Sequence, residues 1–213
     1  EMHGISGGSF AIDENAAPGS DVGTLSIEDE DQGQSYTFSI TSGNSNNVFA
    51  LSESGQLTIN QSPDYEAQSS YNLTVAASDD ASPALVAETV ATVEVNNLNE
   101  APVIEDLTVE VEENQPANTV IGTMQIMPMD SGQTLYVTTN NPVFAVNNHG
   151  EVTVADSSAL NYEASTSLTA TVTVEDNGVP QMGSSAILTV NIQNINEMHG
   201  ISGGSFAIDE NAA

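Results

Sequence analysis

The sequence predicts an all-β fold: two tandem β-sandwiches followed by the opening strand of a third. Three observations carry this. The chain repeats itself at a domain-sized interval. Its apolar residues fall in short clusters that alternate with polar ones. No stretch of about ten residues shows a clean helical period.

The repeat is exact at its ends. Residues 1–17, EMHGISGGSFAIDENAA, return letter for letter at 197–213, so the period is the 196 residues from Glu1 to Glu197 (197 − 1). The duplication reads either as an artificial overlap or as the start of the next unit of a longer array, and the second reading is adopted. That period divides in two. Pro63-Asp64-Tyr65-Glu66-Ala67 returns as Leu160-Asn161-Tyr162-Glu163-Ala164, 97 residues on (163 − 66). Asn97-Leu98-Asn99-Glu100 returns as Asn194-Ile195-Asn196-Glu197 at the same spacing, and Glu14-Asn15 as Glu113-Asn114 at 99 (113 − 14). The expected organisation is repeat 1 over 1–97, repeat 2 over 98–195, and a linker with the first strand of the next repeat over 196–213.

Within repeat 1 the alternating clusters lie at 24–27, 36–40, 71–77 and 90–95. In repeat 2 they lie at 109–111, 120–126, 168–174 and 187–192. Thr and Val dominate them, and Gly, Asn, Ser and Pro punctuate the gaps. Short strands at this spacing in about 100 residues favour a sandwich. Met124, Met127 and Met129 read as strand and loop residues. Modules of this size bury a modest core, so help from metals or neighbours is expected.

Charge narrows the function. The 213 residues include 30 Asp and Glu and no Lys or Arg, a net charge of −30. Without basic residues the chain has nothing to hold phosphates, which excludes nucleic-acid binding and argues against docking on an anionic membrane surface. No apolar run is long enough to cross a membrane. With no Cys there is no disulfide scaffold and no thiolate chemistry. The start at Glu1, without a leader, suggests a piece of something longer. An all-anionic chain must offset its self-repulsion, either in a very salty medium or by binding cations.

The positions of the acids favour cations. They recur after the first strand (Glu14, Glu113), in the turn Asp29-Glu30-Asp31-Gln32-Gly33, in Asp64-Tyr65-Glu66 and Asn161-Tyr162-Glu163, at Asp79-Asp80, and at the module junction Asn97 to Pro102. All are oxygen donors. Hard oxygens without thiolate point to Ca²⁺ before zinc or copper. Loop carboxylates and carbonyls suit the variable geometry of Ca²⁺ better than the strict octahedron of Mg²⁺. The bland reading is a solvated acidic surface. His3, its copy His199, and His149 read as ordinary surface residues. Asn60-Gln61-Ser62 and Asn72-Leu73-Thr74 fit glycosylation sequons without further support.

The motifs taken together resemble tandem cadherin repeats, of the kind found in bacterial surface proteins. Glu14-Asn15 and Glu113-Asn114 match the family's early Glu-Asn motif. Asp29-x-Asp31 matches its Asp-x-Asp turn, Asp64-Tyr65-Glu66 its Asp-Arg-Glu motif with Tyr in the middle, and Asn97-Leu98-Asn99-Glu100-Ala101-Pro102 its Asp-x-Asn-Glu-Ala-Pro linker. The resemblance implies seven-stranded Greek-key sandwiches with Ca²⁺ in each seam. For the internal seam it implies Glu14, Asp64, Glu66, Asn97, Asn99 and Glu100, the Leu98 carbonyl, and Asp130 and Asp176. For the second it implies Glu113, Asn161, Glu163, Asn194, Asn196 and Glu197, completed by the next repeat's copies of Asp29, Asp31 and Asp79. Pro128 stands where the first Asp of Asp-x-Asp belongs, and Asn97 where the linker's leading Asp belongs, so an ion of the internal seam is expected to be weak or missing.

The function expected is structural: an extracellular or cell-surface array, of bacterial source, stiffened by Ca²⁺ as an adhesin stalk or fibre. Its partners are neighbouring copies, joined covalently or by strand exchange through 198–213, with a surface glycan or cell partner elsewhere in the full protein. The alternative is a carbohydrate- or cell-binding module. Catalysis is not expected. With no Trp and few aromatics little stacks on a sugar for glycosidase chemistry.

Overall fold

The computed structural model describes residues 2–29 and 35–197, with the side chains of 4–27 and 35–197. It divides into two compact units. The first takes in residues up to Glu100 with the short segments 129–132 and 178–180; the second takes in 101–128, 133–177 and 181 onward. Each is a β-sandwich, as the alternating clusters require.

The described residues of the first unit hold nine strand segments: β1 Met2–Ser6, β2 Ser9–Asp13, β3 Asp21–Thr24, β4 Ser26–Asp29, β5 Tyr36–Ser42, β6 Phe49–Leu51, β7 Gln56–Ile59, β8 Ser70–Asp79 and β9 Val86–Asn96. They form a four-stranded sheet ordered β2-β9-β8-β5, a three-stranded sheet β3-β7-β6, and the pair β1-β4. β2 runs parallel to β9, with Phe10 opposite Val93 and Ile12 opposite Val95. Counting β1 with β2, and β3 with β4, as interrupted single strands leaves seven. Period-two alternation points Leu73, Val75 and Ala77 of β8, and Ala91, Val93 and Val95 of β9, inward. They meet Leu57 and Ile59 of β7 and Phe49 of β6 in one core. Phe49 packs edge-on to Tyr71, ring centroids 5.0 Å apart. Burying one such large side chain contributes about 1.5–3 kcal/mol.

The second unit repeats this plan element for element: β10 Val103–Ile104, β11 Leu107–Glu112, β12 Val120–Thr123, β13 Ile126–Met127, β14 Tyr136–Thr139, β15 Phe144–Val146, β16 Glu151–Val154, β17 Ser167–Glu175 and β18 Gly183–Gln193. Its sheets are ordered β11-β18-β17-β14, β12-β16-β15 and β10-β13. Its core gathers Val172 and Val174 of β17, Leu188 and Val190 of β18, Phe144, Val152, Val154 and Leu160. Asp156 caps the short 3₁₀ turn Ser157–Ala159 by accepting from Ser158 N.

The expected strand at 120–126 is broken in two, and the one at 24–27 straddles the same break in the first unit. The cause is a glycine hairpin that reaches into each gap. Leu25 N donates to Gly55 O at 2.8 Å, and Met124 N to Gly150 O at 2.9 Å. Both residues then drop into the core, so Met124, expected within the strand 120–126, lies buried in the gap between two strand segments. Both glycines have left-handed backbones (φ +87° and +80°). A Cβ added to them would lie 2.4 Å from Leu25 O or 2.0 Å from Met124 O. Only glycine fits there. The expected opening strand of a third repeat lies outside the described residues, as does Asp31.

Gly55→Ala and Gly150→Ala should each destabilise its own unit by at least about 1–3 kcal/mol, the cost of a left-handed non-glycine residue before the backbone clash is added. Urea unfolding of each variant against the parent checks this. An unchanged midpoint would show that the hairpin relaxes freely.

Candidate metal centre

The first site forms where three pieces of chain meet. β2 ends at Asp13, and the backbone of Glu14 continues the ladder by donating to Asn96 O at 3.1 Å. The Glu14 side chain therefore turns inward and is 2% exposed. Its Oε2 accepts from Tyr65 N at 2.9 Å and its Oε1 from Leu98 N at 2.6 Å. One carboxylate thus ties the end of β2 to the Asp64-Tyr65-Glu66 turn and to the extension of β9. Asn15, in a left-handed conformation (φ 59°), donates its N–H to Pro63 O and its amide to Glu100 Oε1 at 2.6 Å. Asn97 Nδ2 donates to Glu66 Oε1 at 2.9 Å and to Asp130 Oδ1 at 3.1 Å, and Glu100 N donates to Asp130 Oδ2 at 2.9 Å. Asp130 lies in segment 129–132 of this unit and is buried. Oxygens of Glu14, Glu66 and Glu100 all lie within 4.8 Å of one another.

Electrostatics follow from this crowding. Burial pushes the Glu66 carboxyl above the ordinary glutamate range. A backbone hydrogen bond opposes the rise, and the charges of Glu14, Asp130 and Glu100 add to it.

The second site is built the same way within the second unit. Glu113 N donates to Gln193 O. The carboxylate of Glu113, 1% exposed, accepts from Tyr162 N at 2.9 Å and Ile195 N at 2.8 Å. Asn114 (φ 62°) donates its N–H to Leu160 O and its amide to Glu197. Asn194 donates to Glu163 Oε1 at 3.1 Å. Oxygens of Glu113, Glu163 and Glu197 lie within 4.8 Å of one another. The N–H groups of Ile195 and then Tyr162 hold the Glu113 carboxyl below the ordinary range, helped by Glu163 and opposed by desolvation.

Other expected residues play local parts. Asp64 Oδ1 and Asn161 Oδ1 accept from Ala67 N and Ala164 N, closing matching turns. Asp79 Oδ1 accepts from Leu85 N, and Asp176 Oδ1 from Met182 N, so both buried acids organise the hairpin that follows. Asn99 donates to Pro180 O at 2.8 Å. Asn196 is exposed, and Asp29 ends β4, its side chain being outside the described set. His149 is an exposed turn residue. The rings of Tyr65 and Tyr162 are part-exposed, and it is their backbone N–H groups that serve the sites. Sequence reasoning placed Asn97 and Asn194 among the candidate ligands and gave Asn15 and Asn114 no ligand role; in the structure each of the four donates its amide to a clustered carboxylate, Asn97 to both Glu66 and Asp130. Their recurrence beside each Glu was the available signal.

Taken together, these features define a class: tandem β-sandwiches with a duplicated oxygen-donor cluster at the end of the first and last strands. Residues 8–96 match the model of the cadherin domain. In sequence the chain is similar to mouse and human cadherins and protocadherins. It is 32% identical over 203 residues to human protocadherin Fat 4, covering 89% of this chain and 4% of that protein. It is 29% identical over 194 residues to mouse cadherin EGF LAG seven-pass G-type receptor 2, covering 87% and 7%. The chain therefore spans under a tenth of the length of these relatives. Among solved structures, Drosophila N-cadherin EC1-4 superposes with a TM-score of 0.64 at 21% identity, covering 90% of this chain and 50% of that one. Human protocadherin-24 EC1-2 gives 0.63 at 18%, covering 88% and 94%. These structural likenesses show the fold, which is the all-β sandwich expected. The relatives are mouse and human proteins, so the expected bacterial source gains no support from them.

Two outcomes test the clusters as structural clamps. Glu14→Ala leaves two inward-facing N–H groups without acceptors and should cost about 1–3 kcal/mol for each that stays dry, read by denaturant unfolding in chelator. The second concerns pH. The folded-state pKa of Glu113 lies below its unfolded value, so its contribution is present above the unfolded pKa and is lost as pH falls through the folded one. Stability in chelator should therefore drop on acidification below the ordinary glutamate range. Glu113→Gln should flatten part of that slope; an unchanged slope would contradict the assignment.

Proposed function

We propose that this chain is a segment of an extracellular tandem array of cadherin domains. Its acidic clusters hold Ca²⁺ and so stiffen the junctions between domains. The role is mechanical and non-enzymatic, as a stalk or fibre at a cell surface. The observation that carries the reading is the duplication of the three-carboxylate cluster, Glu14, Glu66 and Glu100 in one unit and Glu113, Glu163 and Glu197 in the next, at the same place in each fold.

The donor set fits the ion. Each cluster offers carboxylate and amide oxygens and no nitrogen or sulfur ligand, which is the chemistry of a hard cation with flexible geometry. No Lys or Arg is available anywhere in the chain to neutralise the acids. When bound, a divalent ion turns mutually repelling carboxylates into a cross-link. The protein's part is to position them. Backbone N–H groups orient Glu14 and Glu113 from behind, leaving lone pairs free for a cation. Asn15 and Asn97 hold Glu100 and Glu66 in place. In this reading Leu98 O, Asp64, Asn99, Asp130 and Asp176 add to the first set. Asn161, Asn194 and Asn196 add to the second, which copies of Asp29, Asp31 and Asp79 from a following repeat complete. Pro128 and Asn97 in place of carboxylates make the first junction bind fewer or weaker ions.

Thermal unfolding and small-angle scattering test this. Extracellular Ca²⁺ modules bind with dissociation constants of about 10⁻⁴–10⁻³ M, and ligand at 100 times the dissociation constant stabilises by about 2.7 kcal/mol. Saturating Ca²⁺ should raise the melting temperature and lengthen the particle, chelator should reverse both, and Glu66→Gln with Glu100→Gln should remove the response of the first junction. No change with Ca²⁺ in either property would refute the proposal.

A further inference from the structure

One exposed asparagine carries chemistry that the proposed function does not use. Asn177 and Gly178 form the single Asn-Gly pair in the sequence. The pair lies in the loop between β17, which ends at Glu175, and β18, which begins at Gly183. Asn177 is exposed. Its neighbour Asp176 is buried and holds the loop by accepting from Met182 N at 3.0 Å. Asn177 Oδ1 accepts from Thr134 N at 2.9 Å. A backbone N–H donates and never accepts, so this bond fixes which end of the amide is oxygen.

The counterpart of Asn177 in the first unit is Asp80, 97 residues earlier (177 − 80), the interval that separates Glu66 from Glu163. Asp80 Oδ1 accepts from Ser35 N at 3.2 Å, as Asn177 Oδ1 does from Thr134 N. The same place therefore holds a carboxylate in one unit and an amide in the other, with one oxygen making the same bond. Asp80 is followed by Ala81, and Asn177 by Gly178. Glycine has no Cβ to keep its nitrogen away from the preceding side chain, and its backbone has the widest choice of φ and ψ.

We infer that Asn177 is a site of spontaneous deamidation in the folded chain. The Gly178 nitrogen loses its proton and bonds to Asn177 Cγ, and negative charge develops on Oδ1. Thr134 N–H already donates to that atom at 2.9 Å, within the range of about 2.7–3.1 Å at which such a donor stabilises an oxyanion. Nδ2 then takes up a proton and leaves as ammonia, which closes a succinimide ring. Water, the co-reactant, opens the ring at either carbonyl. One opening gives aspartate; the other gives isoaspartate, whose main chain runs through the former side chain. Both products add one negative charge. The aspartate reproduces Asp80 and keeps the acceptor for Thr134 N. The isoaspartate adds a main-chain methylene and displaces Gly178. The Asn99 amide lies so close over Gly178 that an added Cβ would come 1.6 Å from its Oδ1. Asn99 also donates to Pro180 O at 2.8 Å. The isoaspartate form therefore loosens that bond, while the aspartate form leaves it in place. The inference does not rest on the Ca²⁺ reading.

The test ages the full folded chain in mildly alkaline buffer with chelator and maps its asparagines by mass spectrometry. Trypsin has no site in a chain without Lys or Arg, so a protease that cuts after glutamate is used; it frees Asn177 on the segment between Glu175 and Glu197. The expected result is replacement of NH by O at Asn177, with isoaspartate detected by its selective enzymatic methylation, while the other asparagines stay unchanged. Asn177→Gln lengthens the side chain, disfavours ring closure and should remove the signal. Gly178→Ala is a poorer control, because its Cβ would strike Asn99. Asn177 left intact in the folded chain, whether or not the chain is converted in urea, would overturn the inference, and so would equal conversion of the other asparagines. The two products are separated by thermal unfolding. Asn177→Asp should melt with the parent, and the isoaspartate-rich fraction of the aged chain should melt lower. An Asn177→Asp variant melting as low as that fraction would refute the equivalence with Asp80.

Discussion

The buried carboxylate of Glu14, and its counterpart Glu113, is the interaction on which the ends of both sandwiches depend. A carboxylate taken out of water is costly unless its oxygens are hydrogen-bonded. Here each receives two backbone N–H groups from segments far apart in sequence. The same atoms therefore fix the first strand, the Asx/Asp-Tyr-Glu turn and the extension of the last strand in one arrangement. The other two carboxylates of each cluster come from that turn and that extension, so their proximity is a by-product of the clamp. Structure and candidate ion site are one construction.

A chain without Lys or Arg must hold its acids by other means. Neutral amides do this. Asn15, Asn97, Asn114 and Asn194 each donate to a clustered carboxylate. An amide fixes the orientation of a carboxylate without cancelling its charge. An Arg in the same place would form an ion pair and compete with any cation. Burial first, and then the neighbouring charges of Glu14, Asp130 and Glu100, raise the proton affinity of Glu66. This is what a site that binds a divalent ion reversibly requires: geometry set by the protein, charge left for the ligand.

Much of this was legible in the sequence, and the limits have physical causes. The repeat matched Glu14 with Glu113, Glu66 with Glu163 and Glu100 with Glu197, and equivalent positions of a duplicated fold meet the same kinds of neighbour. Alternation located the central strands β8, β9, β17 and β18, whose inward faces are continuous apolar rows. The interruptions of the second strand were not legible. They depend on Gly55 and Gly150, which approach Leu25 and Met124 from a distant hairpin. Nor was the direction of the amide hydrogen bonds, since Asn offers both donor and acceptor and only the three-dimensional partner decides. Asp79 and Asp176 look like ligands by motif, yet each also closes a hairpin by accepting a backbone N–H.

The divergence between the two units bears on how an array would behave. The clamps at Glu14 and Glu113 are equivalent bond for bond, so both units present the same three-carboxylate core. The sequence around that core differs. The donor set proposed for the first cluster includes Asp64 and Asp130, but Pro128 and Asn97 stand where the resemblance expects further carboxylates. The second has Asn161 in place of Asp64. Ca²⁺ affinity in oxygen sites is tuned by the number of charged ligands and by site rigidity. The hydrogen bonds that position the carboxylates are matched here, so charge count is the variable that would distinguish the two clusters. If the clusters hold Ca²⁺ as proposed, an array with a period of two such units would stiffen in two steps as Ca²⁺ rises, one set of clusters filling before the other.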